Sequence, residues 1–244
     1  MKEIVYHTNY ELEESYWWFL ARNRIILNVI DKMLNLSKDD EILDVGCGTC
    51  GFAKLLSHNH KVIGLDTSDI ALEYCRKRGL NDLYLSLIAD FPKEKRNVKA
   101  VTALDVIEHI ENDFNAVRDI YNLLPKNGKI VATVPAYQFL WSYHDEVHKH
   151  YRRYTKKRFV ALLKSAGFEI DYASYFNTLL FLPGIFKRLL DKFTVPLKSE
   201  EYAIEIVPKF INKLFTKIFE FEKHFIPKIR FPFGISIIVV ATKK

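Results

Sequence analysis

The chain has 244 residues, of which 49% are hydrophobic and 14% aromatic, so it can build one domain with an elaboration or two small domains. This composition excludes a disordered or low-complexity protein. Three cysteines are too few for a disulfide framework, which favours a reducing compartment. The first ten residues lack a signal-like apolar stretch and no apolar run is long enough to span a bilayer. We therefore expect a cytoplasmic protein that contacts membranes peripherally at most.

The net charge of +6 comes entirely from the C-terminal part of the chain. Residues 1–175 carry 24 basic and 24 acidic side chains, whereas residues 176–244 carry 12 basic and 6 acidic ones. Nucleic-acid binders often spread basic charge over their main fold, so this distribution disfavours a nucleic-acid partner. Five of the eight prolines also lie between Pro183 and Pro232, which marks a change of composition near residue 176.

The middle of the chain alternates strand-like runs with helical patterns, which is typical of a parallel sheet flanked by helices. Ser68 and Thr155 are predicted N-caps of two of these helices, and Gly79 and Gly167 are predicted to end them. The predicted strands are 41–45, 62–66, 98–104, 129–134, 168–175 and 234–242.

Composition and pattern divide the chain into four predicted segments. These are a helical N-terminal cap (1–40), a core (41–175), a basic aromatic insertion (176–233) and the last core strand (234–244). The insertion is longer than a connection between two strands requires, and such insertions are usually functional. Within it, residues 209–225 predict an amphipathic helix with a row of lysines. This pattern indicates a lid over a pocket, which we favour, or contact of 179–225 with a membrane surface.

A glycine-rich run follows the first predicted strand. Residues 44–51 read DVGCGTCG, in which Gly46 and Gly48 allow a tight turn and close approach of a ligand to the main chain. Asp66 ends the next strand, where a carboxylate can bind ribose hydroxyls. The run would also fit NAD, but Asp44 would repel a pyrophosphate and attract the amino and sulfonium groups of S-adenosylmethionine. An NAD-dependent oxidoreductase with a Rossmann fold is therefore the alternative.

Four runs resemble, in order, successive motifs of class I S-adenosylmethionine-dependent methyltransferases. They are 41–51 (EILDVGCGTCG), 62–68 (VIGLDTS), 103–110 (ALDVIEHI) and 123–135 (LLPKNGKIVATVP). The resemblance is closest to the small-molecule enzymes of ubiquinone and menaquinone biosynthesis. It implies an α/β, Rossmann-like fold with a seven-stranded, mostly parallel sheet, helices on both faces and an antiparallel last strand.

The resemblance also implies which residues bind the cofactor. They are Asp44, Gly46, Gly48, Asp66, Thr67, Asp90, Leu104, Asp105 and Arg22. Asp66 would hold the ribose, and Asp90 is assigned to the adenine in a stretch that departs from the family's pattern. Arg22 ends a Trp-Trp-Phe-x-x-Arg run that resembles a lid of these relatives, and it would pair with the cofactor carboxylate. Packing of a helix onto the sheet is an equal alternative for that run.

Cys47 and Cys50 form a C-x-x-C pair that could indicate zinc. The chain has no second pair and Cys75 is isolated in the sequence, so a tetrahedral site lacks ligands. We therefore interpret both cysteines as small turn residues, with Cys50 standing where the family commonly has glycine.

Methyl transfer requires alignment of the acceptor, and a base only where the acceptor is not already a good nucleophile. We predict His150 or His109 as that base. In some quinone-pathway relatives a set like Asp105, Glu108 and His109 binds a divalent metal. The metal is not favoured here, because Glu108 and His109 would serve equally well at a helix N-terminus.

The segment 141–154 is rich in histidine, arginine and aromatic residues. It follows the strand predicted at 129–134, on the side of the sheet where loops that bind the methyl acceptor gather. It resembles the substrate-side segment of the relatives and is predicted to bind the acceptor through His144, Asp145, Arg153 and Tyr154. The sequence thus predicts a methyltransferase acting on a small or lipid-linked acceptor, with O-, N- and C-methylation open. A membrane-associated binding module without chemistry is a further alternative, and an RNA methyltransferase is disfavoured because basic and acidic side chains balance over residues 1–175.

Overall fold

Seven strands form one sheet, as the computed structural model shows for the described residues, 3–194 and 207–244. The strands are β1 (Glu41–Val45), β2 (Lys61–Asp66), β3 (Leu83–Leu85), β4 (Val98–Leu104), β5 (Lys129–Pro135), β6 (Phe168–Phe176) and β7 (Ser236–Lys243). The α-helices are α1 (Glu3–Leu12), α2 (Trp17–Met33), α3 (Gly51–Leu56), α4 (Asp69–Lys77), α5 (Asp113–Leu123), α6 (Tyr143–Val147), α7 (Lys156–Ser165), α8 (Phe181–Thr194) and α9 (Lys209–Glu220).

The order of the strands across the sheet is β3-β2-β1-β4-β5-β7-β6. The first five strands pair in parallel, and β7 runs antiparallel to both β5 and β6. Central strands such as β1 and β4 are buried along most of their length because helices cover both of their faces. The predicted seven-stranded, mostly parallel fold with an antiparallel last strand is confirmed. The three-residue strand β3 was missed because it is too short for a pattern.

Helices fill both faces of the sheet. On one face α2 buries Ile25 and Val29 against strand residues. On the other face α5 and α7 bury Val117, Ile120 and Phe159. The predicted caps are present: the side chain of Ser68 accepts a hydrogen bond from the N–H of Ala71, and that of Thr155 from the N–H of Arg158.

The insertion packs on the N-terminal cap through α9 and α2. The side-chain oxygen of Asn212 accepts a hydrogen bond of 2.8 Å from the N–H of Trp17. The indole of Trp17 meets the rings of Phe215 and Phe219 edge-on. Two segments nearly 200 residues apart in sequence therefore form one helical layer. No helix within the described ranges is both long and apolar enough to cross a bilayer.

A buried carboxyl group ties the end of the insertion to the segment after β6. Glu222 has no exposed surface and accepts hydrogen bonds from the N–H groups of Asn177, Thr178 and Leu179. Burial raises the pKa of Glu222, whereas these three N–H groups lower it. The corner that leads into α8 is held in place by this one side chain.

The three cysteines come together under the glycine-rich turn. A disulfide joins Cys50 to Cys75, so the interpretation of Cys75 as an isolated cysteine was wrong. The sulfur of Cys47, which is buried and free, lies 4.0 Å from that of Cys75. This proximity arises from packing of α4 on the turn, which sequence spacing does not show. The argument for a reducing compartment from the cysteine count loses its support.

We predict that Glu222→Ala lowers the free energy of unfolding by about 3 kcal/mol, because three N–H groups lose their buried acceptor. Urea denaturation followed by circular dichroism measures this loss. Glu220→Ala is the matched control, since Glu220 pairs with the exposed Arg24 and should cost less than about 1 kcal/mol. Equal losses in the two variants would contradict an anchoring role for Glu222.

Candidate functional site

A cavity of about 560 Å³ opens at the carboxyl ends of β1, β4 and β5. Because β7 is antiparallel, its first residue, Ser236, reaches the same edge of the sheet and also lines the cavity. The remaining wall comes from the N-terminal cap, from α6 and the segment after it, and from α8 and α9. Ligands of open α/β sheets bind at this edge, which makes the cavity the candidate site.

Ten of the fifteen residues predicted for the site line this cavity. They are Arg22, Asp44, Gly46, Gly48, Leu104, Asp105, His109, His144, His150 and Arg153. The other five lie outside its lining, and they are Asp66, Thr67, Asp90, Asp145 and Tyr154.

The glycine-rich turn between β1 and α3 uses two glycines for different reasons. Both have left-handed backbone, with φ of +64° at Gly46 and +56° at Gly48. A Cβ on Gly46 would lie 2.5 Å from a methyl group of Val106, so there is no room for a side chain at this position. A Cβ on Gly48 would meet nothing within 4 Å, because this residue faces open space. Gly48 is therefore where a ligand can approach the backbone.

Asp66 secures this turn from the end of β2. Its carboxylate accepts hydrogen bonds from the N–H of Gly48 at 3.0 Å and from the N–H of Ser68 at 2.9 Å. Burial raises the pKa of Asp66, and the N–H donors oppose that shift. The side chains of Thr67 and Asp90 are exposed. The roles predicted for Asp66, Thr67 and Asp90 in binding ribose and adenine stay predictions.

Asp44 is a buried carboxyl group in the wall of the cavity. The hydroxyl of Thr102 donates a hydrogen bond of 2.6 Å to it. Burial raises the pKa of Asp44 to about 7, although Thr102 and the positive charge of Arg22 favour the ionised form. A cationic group bound beside Asp44 would restore its charge.

Arg22 and Asp105 form a buried ion pair, with Nη2 and Oδ2 2.7 Å apart. Arg22 also lies over the ring of Trp18, and its Nε has no hydrogen-bond partner among the described residues. The predicted pairing of Arg22 with a cofactor carboxylate therefore has a free N–H available to it. Asp105 has a φ of +57°, which is uncommon outside glycine and directs the chain sharply after β4.

Glu13 fastens the N-terminal cap to the glycine-rich turn and was missed by the sequence analysis. Its carboxylate accepts hydrogen bonds from the Thr49 hydroxyl at 2.6 Å and from the Gly51 N–H at 2.9 Å. Arg78 on the far side approaches the same oxygen at 3.2 Å. Burial raises the pKa of Glu13, and these partners oppose the shift. One glutamate in a polar helical stretch carries no sequence signal for such a contact.

Asp145 holds two side chains of the cavity wall in place from beneath the surface. This fully buried carboxylate accepts a hydrogen bond of 2.8 Å from Nδ1 of His150 and one of 2.7 Å from Nε of Arg153. Its other oxygen accepts the N–H of Ser142 at the start of α6. Asp145 thus orients two side chains that do line the cavity, whereas the sequence predicted direct contact with substrate. That contact is untested and stays a prediction.

Tyr154 is turned away from the cavity. It is fully buried, and its hydroxyl donates a hydrogen bond of 2.8 Å to Asp113. His144 does line the cavity, and its ring lies 4.0 Å from that of His148, measured between centroids.

His109 and His150 meet edge to face at the cavity wall, with ring centroids 4.5 Å apart. Burial, reinforced by the neighbouring rings of His150 and His148, lowers the pKa of His109 to about 3. Glu108 lies beside them, and one ligand atom from each of Glu108, His109 and His150 falls within 4.8 Å of the others. The metal alternative considered from the sequence used Asp105 in place of His150.

Comparison with known proteins identifies the domain. A family model described as a methyltransferase domain matches residues 18–173, and the chain belongs to this family. The chain is 25% identical over 163 residues to a probable S-adenosylmethionine-dependent methyltransferase of Mycolicibacterium smegmatis, covering 65% of this chain and 62% of the relative. It is 24% identical over 166 residues to sphingolipid C9-methyltransferase 1 of Gibberella zeae, covering 59% and 32%. The chain thus spans less than two thirds of the length of these curated relatives.

Solved structures have the same fold. A Thermotoga maritima protein described as an S-adenosylmethionine-dependent methyltransferase, possible histamine N-methyltransferase, superposes with a TM-score of 0.59 at 17% identity, covering 98% of this chain and 99% of that one. Family and fold together define a class I S-adenosylmethionine-dependent methyltransferase, and the alternative of an NAD-dependent enzyme is not supported. The particular resemblance to quinone-biosynthesis enzymes stays a prediction.

The cavity fits S-adenosylmethionine, the cofactor of this class. The space over Gly48 admits a ligand, the buried Asp44 suits a cationic group, and the unpartnered Nε of Arg22 suits a carboxylate. These three features meet in one cavity.

We predict that the affinity for S-adenosylmethionine rises with pH because the ionised form of Asp44 attracts its cationic groups. With a pKa of about 7 for Asp44, the affinity should rise roughly eightfold between about pH 6 and about pH 7.5. In Asp44→Asn, which keeps an acceptor for Thr102, binding should be weaker and nearly independent of pH. Calorimetric titrations over this range measure both, and parallel pH profiles for the two proteins would rule Asp44 out as the titrating group.

Proposed function

We propose that the protein transfers a methyl group from S-adenosylmethionine to a small or lipid-linked acceptor, with His150 as general base. The observation that carries this proposal is that one cavity joins the glycine-rich turn to the His150–Asp145 pair. A binding module without chemistry would not require an imidazole that a buried carboxylate orients.

In this proposal the residues of the cavity have separate tasks. Asp44 binds the amino group of the cofactor, the turn at Gly46 and Gly48 lets it lie against the main chain, and Arg22 binds its carboxylate. Leu104 and Asp105 form the floor after β4. When bound, the cofactor supplies a methyl group activated by a sulfonium.

The chain's own residues handle the proton of the acceptor. Because Asp145 holds the Nδ1–H of His150, the lone pair of that ring in its neutral form is on Nε2. Nε2 takes the proton from the acceptor atom as that atom bonds to the methyl carbon, and the sulfur keeps the electron pair of the broken bond. Arg153, which shares Asp145, keeps that carboxylate in place.

The N-terminal cap and the insertion exclude water from the reaction. Trp17, Trp18 and Phe215 line the cavity, and so does Leu180 at the start of the segment that enters α8. Desolvation of this kind strengthens the electrostatic interactions inside a site. We therefore assign the described part of the insertion, 176–194 and 207–233, a role as a lid over the acceptor pocket; residues 195–206 of the predicted insertion lie outside the described residues.

The outer surface of the lid supports a lipid-linked acceptor and peripheral membrane contact through 179–225. On α9, Phe210 is 71% exposed and Leu214 is 52% exposed, one turn apart. The exposed lysines 209, 213 and 217 run alongside at the same spacing. Exposed apolar residues flanked by lysines are typical of helices that lie on anionic membranes.

The donor site is tested first, by calorimetry with S-adenosylmethionine, S-adenosylhomocysteine and NAD. We expect both sulfur compounds to bind, NAD not to bind, and Asp66→Ala to weaken binding at least about tenfold because the turn loses its tie to β2. Asp69→Ala is the control, since this exposed residue begins α4 and does not touch the turn. Binding of NAD alone would overturn the proposal.

The base is tested by turnover of a radiolabelled methyl donor with an acceptor found by screening lipids and small molecules. His150→Ala should lower turnover by about two orders of magnitude while the affinity for S-adenosylhomocysteine stays unchanged. Asp145→Asn should lower turnover less, because the ring keeps its place but loses its charged partner. The exposed His58→Ala is the control, and full activity in His150→Ala would remove His150 from the mechanism.

Membrane contact is tested by sedimentation with vesicles of phosphatidylglycerol and phosphatidylcholine in equal parts. The wild type should bind in a salt-sensitive manner, and the double variant Phe210→Ser/Leu214→Ser should bind at least about tenfold more weakly. Lys213→Glu should also reduce binding, whereas Lys126→Glu, at the opposite edge of the sheet, should not. Lack of wild-type binding at low salt would leave only the lid role for α9.

A further inference from the structure

Glu108 is the most unusual polar group in the cavity. It is fully buried and lines the cavity, yet neither oxygen of its carboxyl group has a hydrogen-bond partner among the described residues. Burying a carboxyl group without partners is costly, so such a group is rare unless a ligand completes it. Burial, reinforced by the charge of Asp105, raises the pKa of Glu108 well above its usual range, and its own main-chain N–H together with Arg22 and Arg153 only partly opposes this.

The groups around Glu108 are hydrogen-bond acceptors. His150 donates its Nδ1–H to Asp145, so its Nε2 is an acceptor in the neutral ring. His109 is hydrogen-bonded to the backbone of His148 through one ring nitrogen, and burial lowers its pKa to about 3, so the other nitrogen carries a lone pair. One ligand atom from each of Glu108, His109 and His150 lies within 4.8 Å of the others, so Glu108 in its ionised form would complete a compact set of acceptors.

We propose that Glu108, His109 and His150 bind the amino group of the acceptor, and that the protein is therefore an N-methyltransferase. This inference rests on the proposed function and narrows its substrate class. A primary ammonium group has three N–H donors in a small volume, which matches a cluster of acceptors. A hydroxyl group has one donor, so it can donate either to Nε2 of His150 or to an ionised Glu108, but not to both.

Two of the basic side chains that line the cavity are paired with carboxylates other than Glu108. Arg22 forms an ion pair with Asp105, and Arg153 forms one with Asp145. An ammonium group beside Glu108 would stabilise its ionised form, just as a paired cation does for any buried carboxyl group.

A divalent metal ion could use the same three side chains, but it would occupy the lone pair of His150. The base would then be lost, since a coordinated imidazole cannot take a proton. The amine arrangement keeps both tasks: Glu108 holds the ammonium group, and Nε2 of His150 takes one of its protons. The freed nitrogen lone pair then bonds to the methyl carbon, and the sulfur keeps the electron pair of the bond that breaks.

The test uses two probes of the same shape, 2-phenylethylamine and 2-phenylethanol, on the full chain saturated with S-adenosylhomocysteine. We expect the amine to bind the wild type at least about tenfold more tightly than the alcohol. Glu108→Gln keeps the shape of the side chain but places an NH₂ group among the acceptors, so it should reduce amine affinity by about tenfold and leave the alcohol unchanged. Glu146→Gln is the control, because Glu146 is an exposed residue of α6.

Several outcomes would overturn the proposal. One is that the wild type binds the alcohol as tightly as the amine or more tightly, a result that does not depend on whether any variant folds. Another is that the wild type binds neither probe. A third is that the wild type binds Mn²⁺, measured by electron paramagnetic resonance, that Glu108→Gln abolishes this binding, and that the same variant leaves the affinity for the amine unchanged. Glu108 would then be a metal ligand and not an amine-binding residue. Failure of the proposed function is distinct, because it would appear as a wild type that does not bind S-adenosylhomocysteine.

Discussion

Burial of carboxyl groups at one edge of the sheet is the constraint on which the candidate site depends. Parallel strands end together, so Asp44 near the end of β1, Asp66 at the end of β2 and Asp105 directly after β4 are brought to one edge. Each carboxyl group is compensated differently: Asp66 by backbone N–H groups, Asp105 by Arg22, and Asp44 by one hydroxyl. A buried carboxyl group with few hydrogen-bond or charge partners is stabilised most when a cationic ligand binds beside it. Asp44 and Glu108 are the carboxyl groups of the cavity with the fewest such partners among the described residues.

The same principle closes the cavity. Glu13 and Glu222 are buried carboxyl groups satisfied by N–H and hydroxyl donors of segments distant in sequence. Glu13 joins the N-terminal cap to the glycine-rich turn. Glu222, near the end of the insertion, joins it to the start of the insertion directly after β6. Since α2 and α9 also pack on each other, a series of direct contacts runs from the glycine-rich turn through the N-terminal cap to the insertion.

Much of the core was predictable because its signals are local. Strand runs, the caps at Ser68 and Thr155, and the turn after β1 depend on residues adjacent in sequence, and the observed elements begin and end within a few residues of those predicted. Resemblance to a family added the strand topology, and it pointed to most of the residues that line the cavity. Contacts of Glu13, pairing of Cys50 with Cys75, and the place of Tyr154 depend on packing between distant segments, which no local pattern encodes.

By itself, the sequence determined the type of sheet and the cofactor class, because apolar periodicity and a glycine-rich turn flanked by carboxylates act through neighbouring residues. Only the tertiary structure decided how side chains divide the work within the site. Asp145 is a fully buried group that orients His150, and its predicted contact with substrate stays a prediction, while Glu108 gained significance because its carboxyl oxygens have no hydrogen-bond partner among the described residues. For each group, the structure shows both that the carboxyl group is buried and which hydrogen-bond partners it has. Neither is known until the chain has folded around that group.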